Sequence, residues 1–163
     1  MGADSIHQTK VIKMWQLNLP EYKFRIKIHN NKQLIFDSIR KKFVALTPEE
    51  YVRQHFIQFL IEQKNYPQSR LAIEKEININ GLKKRCDAVV YNTEYTPIMI
   101  IEFKAPHIKL SQQTFDQAAI YNSKLNVNYL IISNGIEHFA CWVDKVEQKY
   151  NFMADIPDYN SLI

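Results

Sequence analysis

Residues 85–104 read RCDAVVYNTEYTPIMIIEFK, in which two apolar segments, 85–91 and 98–104, flank a short polar loop. This pattern predicts two adjacent antiparallel strands joined as a hairpin. If residues 93–96 form the loop, the register pairs Asn92 with Pro97, Val90 with Met99 and Asp87 with Glu102. The hairpin therefore predicts two carboxylates directly opposite one another.

Charged side chains on the second strand are the unusual feature of this hairpin. Residues two apart in a strand share a face, so one face carries Ile98, Ile100, Glu102 and Lys104. Opposed carboxylates repel one another, and a divalent cation between them turns repulsion into coordination. Hard oxygen ligands suit Mg²⁺ or Mn²⁺, and Lys104 could act on a metal-bound water or on a phosphate. The alternative is that Lys104 only supplies a counter-charge at a sheet edge.

The flanking sequence predicts an α/β domain around this hairpin. Thr47-Pro48-Glu49-Glu50 indicates a helix start, and Ser111 can cap a second helix. The other apolar segments predict strands, at 22–28, 34–36, 71–79, 129–132, 139–143 and 150–152. We expect a mixed central sheet flanked by helices, with an N-terminal β-hairpin. Residues 1–163 are predicted to form one domain, with 1–14 frayed and 15–46 as the hairpin extension.

Composition excludes several classes of protein. The chain has 163 residues and a formal net charge of +4, which permits a polyanionic partner without requiring one. No apolar run is long enough to cross a bilayer, and residues 1–10 lack the apolar core of a signal peptide. Three glycines cannot supply a phosphate-binding loop, so we expect no nucleotide motor within this chain. The spacing of Cys86 and Cys141 predicts reduced thiols without structural zinc, and we expect a cytoplasmic protein.

The order of acids and lysine resembles the PD-(D/E)xK nuclease superfamily. Asp87 matches its first acid, Glu102 the second and Lys104 the lysine, with Cys86 in place of the usual proline. The resemblance implies a restriction-endonuclease-like fold and a Mg²⁺-dependent DNA endonuclease in which Mn²⁺ can substitute. It further implies that Asp87, Glu102 and the Phe103 carbonyl bind the metal, and that Lys104 assists the attacking water.

A second element lies in the second predicted helix. Gln117 and Tyr121 match the Gln-x-x-x-Tyr element of RecB-like nucleases, which implies that they support the metal site. Their separation by four residues places them on one helix face. A plain amphipathic helix with Tyr121 in the core explains the same spacing.

Segments over about residues 17–152 resemble the N-terminal nuclease domain of type I restriction enzyme R subunits. They are 46–54 (LTPEEYVRQ), 82–87 (LKKRCD), 101–106 (IEFKAP) and 115–117 (FDQ). Those subunits carry helicase domains after the nuclease, and we expect no ATP-driven translocation by this chain. The resemblance implies DNA as substrate, with a second copy or a restriction-system subunit as protein partner. The alternative function is a non-catalytic nucleic-acid-binding or assembly domain that docks onto a motor or specificity subunit.

Two further groups of residues are candidates. The first helix of such nucleases often supplies another acid, and Glu49 is favoured over Glu50 because Glu50 occupies the capping-box position. The basic run Lys83, Lys84 and Arg85 directly precedes Asp87. It could contact the DNA backbone beside the cleavage site without reading sequence. The alternative is an ordinary solvated face.

Overall fold

Two sheets with a helix between them organise the chain. The computed structural model describes residues 8–11, by their backbone, and residues 15–163. The elements in these ranges are β1 (Gln8–Val11), β2 (Lys23–His29), β3 (Lys32–Asp37), β4 (Lys42–Ala45), α1 (Pro48–Gln63), β5 (Leu71–Ile79), β6 (Leu82–Tyr91), β7 (Pro97–Phe103), α2 (Gln112–Leu125), β8 (Tyr129–Ser133), β9 (His138–Asp144) and β10 (Lys149–Phe152).

The central sheet has six strands in the order β10-β9-β8-β7-β6-β5. Its pairs are antiparallel except β7 with β8, which are parallel because α2 carries the chain back between them. The predicted pairing of Val90 with Met99 is confirmed. The predicted pairing of Asn92 with Pro97 is wrong, because the register shifts beyond Val90 and Tyr91 pairs with Pro97 instead. The loop is consequently one residue longer, and the Asn92 N–H donates to the Thr96 carbonyl at 2.9 Å.

Helix α1 covers one face of this sheet. It begins as predicted, with the Thr47 side chain accepting a hydrogen bond from the Glu50 N–H at 3.1 Å. The core on this face is fully buried and combines Val52, Phe56 and Leu60 of α1 with Met99, Ile101 and Phe103 of β7. Ile98 also belongs to this cluster, so its predicted place beside Ile100 is wrong. The register shift beside Ile98 interrupts the regular alternation of side chains there.

Helix α2 covers the opposite face. It begins after Ser111 as predicted, although the Ser111 side chain makes no capping hydrogen bond. Ala118 and Tyr121 pack against Val89, Ile100 and Leu130 of the sheet. The strands β6 and β7 are therefore buried on both faces near their centres, which explains their continuous apolar sequence.

The predicted N-terminal hairpin is β2 and β3, and β1 and β4 extend it to a four-stranded antiparallel sheet. Its inner face packs Phe24, Ile26 and Ile35 towards α1, where Phe24 makes an edge contact with His55 at 4.8 Å. Residues 1–14 were predicted to be frayed. Within that segment Gln8–Val11 pair with β2, and the remaining residues lie outside the described part of the chain.

The expected mixed α/β architecture, with a central sheet, two flanking helices and an N-terminal hairpin, is confirmed. In the part of the chain that the structure describes, neither helix combines the length and apolar composition needed to cross a membrane.

Phe56 should be the most sensitive position of the α1 interface. Its ring is fully buried and lies 5.5 Å from the ring of Phe103 between centroids. We expect Phe56→Ala to lower the free energy of unfolding by about 3–5 kcal/mol, because truncation leaves a cavity. Urea denaturation measures this loss. Phe152→Ala, the same change at a 69% exposed position, should cost much less, and an equal loss would contradict this assignment.

Candidate active site

Asp87 and Glu102 meet where the β6–β7 ladder gives way to side-chain hydrogen bonds. The paired backbone positions run as far as Ala88 with Ile101. One step further, Asp87 Oδ2 accepts a hydrogen bond from the Phe103 N–H at 2.8 Å. The Asp87 N–H in turn donates to Glu102 Oε1 at 3.3 Å. Each carboxylate thus bonds to the backbone of the other strand, which holds the two acids side by side.

The environment of Glu102 disfavours its charge. The side chain is 2% exposed, and burial together with the charge of Asp87 raises the pKa of Glu102 to about 8. The buried Cys86 thiol lies beside it, and burial with the charge of Glu102 raises the pKa of that thiol. Among the described residues, no basic side chain forms an ion pair with Asp87 or Glu102. The pair therefore lacks a protein counter-charge in direct contact.

Lys104 follows the last residue of β7. Its N–H donates to the Ser133 carbonyl at 2.9 Å, which continues the pairing with β8. Its ammonium Nζ donates to Gln117 Oε1 at 3.1 Å. A neutral amide on α2 therefore holds the Lys104 side chain. The alternative role for Lys104 was a counter-charge to Asp87 and Glu102. Among the described residues, no ion pair between Lys104 and either carboxylate supports that role.

Tyr121 lies one turn further along α2 and is 5% exposed. Its hydroxyl donates to the Arg85 carbonyl at 2.8 Å, two residues before Asp87. Burial and the charge of Glu102 raise the pKa of Tyr121. The two residues of the predicted element thus contact different strands: Gln117 holds Lys104 after β7, and Tyr121 holds the backbone of β6.

The two acids at the start of α1 differ in their surroundings. Glu49 is half-buried, and burial followed by the charge of Asp87 raises its pKa, while Arg53 and Lys104 lower it. Glu50 is buried and forms ion pairs with Arg40 at 2.9 Å and Arg53 at 3.0 Å. Its carboxylate is therefore used in these pairs rather than in the reciprocal half of a capping box. The structure brings Glu49 towards Asp87 and Lys104, and its catalytic role stays a prediction.

The basic run lies exposed on β6. Lys83 pairs with Glu76 at 3.2 Å and Arg85 with Glu74 at 3.4 Å, both on β5. Lys84 is exposed on the same strand. Surface pairs of this kind are weak, so both side chains could exchange their acid for a phosphate. DNA contact by this run stays a prediction.

An ionic cluster beside the site was missed from the sequence. It joins the β3–β4 turn, α1, β5 and β6 through alternating charges, and its members are Asp37, Arg40, Glu50, Arg53, Glu74 and Arg85. Glu74 lies in β5 with a φ of +52°, a left-handed conformation rare for a residue with a side chain. Asp37 with Arg40 and Glu50 with Arg53 have i, i+3 spacing, but no spacing rule joins these pairs to each other or to Glu74 and Arg85.

The acid pair suits a magnesium-like cation. Within the described ranges no three His, Cys, Asp or Glu side chains form a ready-made metal cluster. Mg²⁺, however, commonly takes one or two carboxylates and fills its remaining positions with water and substrate phosphate. Half-buried Asp87 and buried Glu102, with no ion-pair partner among the described residues, fit that requirement, and the Phe103 carbonyl would be a third hard oxygen ligand.

Comparison with known protein families identifies the family of this chain. The family described as type I restriction enzyme R protein N terminus matches residues 48–157. The chain belongs to this family. The R protein N-terminal match begins with the first residue of α1, so it contains every candidate residue named above and leaves the four-stranded sheet outside. A comparison with curated proteins found no match.

The raised pKa of Glu102 predicts a pH-dependent stability in metal-free protein. The native state keeps a proton that the unfolded chain releases, so stability should fall as pH rises from about 4.5 towards 8. Glu102→Gln removes the buried charge. In EDTA at pH 8.5 it should raise Tm relative to wild type, by about 2–4 °C for each kcal/mol recovered.

The same comparison at pH 4.5 should show a smaller difference, because Glu102 is then protonated in the native state. Glu94→Gln makes the same chemical change at an exposed position and serves as the control. A Glu102→Gln protein less stable than wild type at pH 8.5 would contradict this account. Differential scanning calorimetry across the pH range provides the measurement.

Proposed function

We propose that this R protein N-terminal family member is a metal-dependent endonuclease of the PD-(D/E)xK superfamily that hydrolyses phosphodiester bonds in DNA. One observation carries the proposal: half-buried Asp87 and buried Glu102 form an acid pair that no described basic side chain contacts, next to a lysine that a neutral amide holds. The restriction-enzyme family supports a nuclease role.

Three oxygen donors would hold the cation. Asp87 and Glu102 supply carboxylates, and Phe103 supplies a backbone carbonyl. Glu49 lies on the α1 side and would act as a further acid towards the cation or its water. When bound, Mg²⁺ or Mn²⁺ supplies Lewis-acid stabilisation of the phosphate under attack.

Lys104 would act on the reacting groups themselves. Its ammonium can donate a hydrogen bond to the attacking water and steady the negative charge that develops on the phosphate oxygens. Water would then attack phosphorus in line and lose a proton to solvent. The bond from phosphorus to the leaving sugar oxygen would break, and that oxygen would take up a proton from solvent. The hydrogen bond to Gln117 would keep the ammonium in place, and Tyr121 would fix the strand that carries Asp87.

This reaction also suggests roles for the exposed basic residues and for a protein partner. Lys83, Lys84 and Arg85 would contact the DNA backbone beside the scissile phosphate. A single acid pair cuts one strand, so a double-strand cut would need a second copy or another restriction-system subunit.

Cleavage of supercoiled plasmid tests the proposal. Wild-type protein should nick the plasmid with Mg²⁺ or Mn²⁺ and not in EDTA. Lys104→Ala should lower the rate by about 10²–10³-fold, as loss of a charge-stabilising donor does. Lys109→Ala removes an exposed lysine in the following loop and should keep full activity.

The outcomes separate the candidate functions. Equal activity in wild type and Lys104→Ala would remove the role assigned to Lys104. Wild-type protein that binds DNA and does not cleave it with either cation would support the non-catalytic binding domain and overturn the nuclease.

A further inference from the structure

The outer face of the N-terminal sheet carries a row of cations. The buried side chains Phe24, Ile26 and Ile35 point towards α1, and strand alternation therefore turns their neighbours outward. We call this surface the outer cationic face, and its described residues are Lys23, Arg25, Lys27, Lys32, Phe36 and Phe43. Neighbouring positions on one face of a strand lie about 6.8 Å apart, so β2 presents three evenly spaced positive charges.

Among the described residues, none of these cations has an acidic partner in an ion pair. The single acidic residue between 23 and 45 is Asp37, which is 2% exposed and bonds to Arg40. In the described part of the chain, Lys23, Arg25, Lys27 and Lys32 form no ion pair. These four positive charges equal the formal net charge of the whole chain, which is +4. Lys83 and Arg85, by contrast, already face acids.

Aromatic rings support two of the cations. The Arg25 guanidinium lies 4.4 Å from the Phe36 ring centroid and 5.7 Å from that of Phe43. The Lys27 ammonium lies 4.6 Å from the Phe43 centroid. A cation held over a ring loses less side-chain freedom on binding, and a stacked guanidinium still offers its N–H groups to phosphate. The ring contacts therefore hold the Arg25 and Lys27 side chains in position before a ligand binds.

The face runs towards the candidate active site. Strand β4 leads directly into α1, and the Leu46 N–H donates to the Gln33 carbonyl at 3.0 Å where the two elements join. Glu49 lies in the first turn of that helix. The Lys32 end of the β2–β3 hairpin is thus the end of the sheet nearest the start of α1, and DNA reaching Glu49 and Asp87 could continue onto this face.

We propose that the outer cationic face binds the sugar-phosphate backbone of duplex DNA and adds an anchoring surface outside the catalytic residues. The identity of the ligand rests on the proposed function, and charge complementarity selects a polyanion. The family match begins at residue 48, so the surface belongs to a part of the chain that the family description does not cover.

Binding of a labelled short duplex by the full chain tests this proposal, measured by fluorescence anisotropy in EDTA over a series of salt concentrations. The double variant Arg25→Gln/Lys27→Gln should bind about tenfold more weakly, and its slope of log K against log salt should be shallower by almost two, at ~0.9 per lost phosphate contact. Lys124→Gln/Lys145→Gln removes two exposed lysines on the α2 side and should leave both quantities unchanged.

Each result has a definite reading. Loss confined to the Arg25/Lys27 double variant, with an unchanged circular dichroism spectrum, supports the outer cationic face. Unchanged binding in that variant, or equal loss in both doubles, overturns it. Wild-type protein that sediments with phosphatidylserine vesicles and fails to bind the duplex also overturns it. Because EDTA prevents metal-dependent cleavage, a failure of the nuclease proposal leaves this measurement interpretable.

Discussion

The exchange of hydrogen bonds between Asp87 and Glu102 and the opposite backbones is the constraint on which the rest of the site depends. It fixes two acids of like charge at the end of a ladder whose strands are buried on both faces. In that environment the charged form of Glu102 is costly, and proton or cation binding relieves the cost. The hydrogen bonds that continue the sheet therefore also place Glu102 where binding of a proton or a cation is favourable.

The surrounding elements act on this pair from separate directions. From α2, Gln117 holds Lys104 and Tyr121 holds the β6 backbone, so one helix face braces both strands. From α1, Glu49 faces the pair, while Glu50 ties the helix start to Arg40 and Arg53. The two acids are adjacent in sequence but differ in their contacts: Glu50 is held in the ionic cluster, and Glu49 lies near the acid pair.

Sequence reasoning succeeded where local patterns carried the information. The apolar alternation and loop length predicted the β6–β7 register at Val90 and Met99, and failed at Pro97 because a register shift has no sequence signature here. The capping-box position favoured Glu49 over Glu50, but the ion pair of Glu50 with Arg40 could not be predicted, because Arg40 lies in the turn before β4. The aromatic contacts of the outer cationic face could not be predicted, because β4 was not predicted and the stacking of Arg25 needs rings from β3 and β4.

The most direct test of the account is the titration of the Glu102 carboxyl, followed by its ¹³C chemical shift in labelled protein with Glu102→Gln for assignment. In EDTA we expect a midpoint well above the ordinary value for glutamate, near 8. Added Mg²⁺ should move the midpoint downward, because the cation stabilises the ionised form. A midpoint at the ordinary value that Mg²⁺ leaves unchanged would contradict the assignment of Asp87 and buried Glu102 as a cation-binding acid pair.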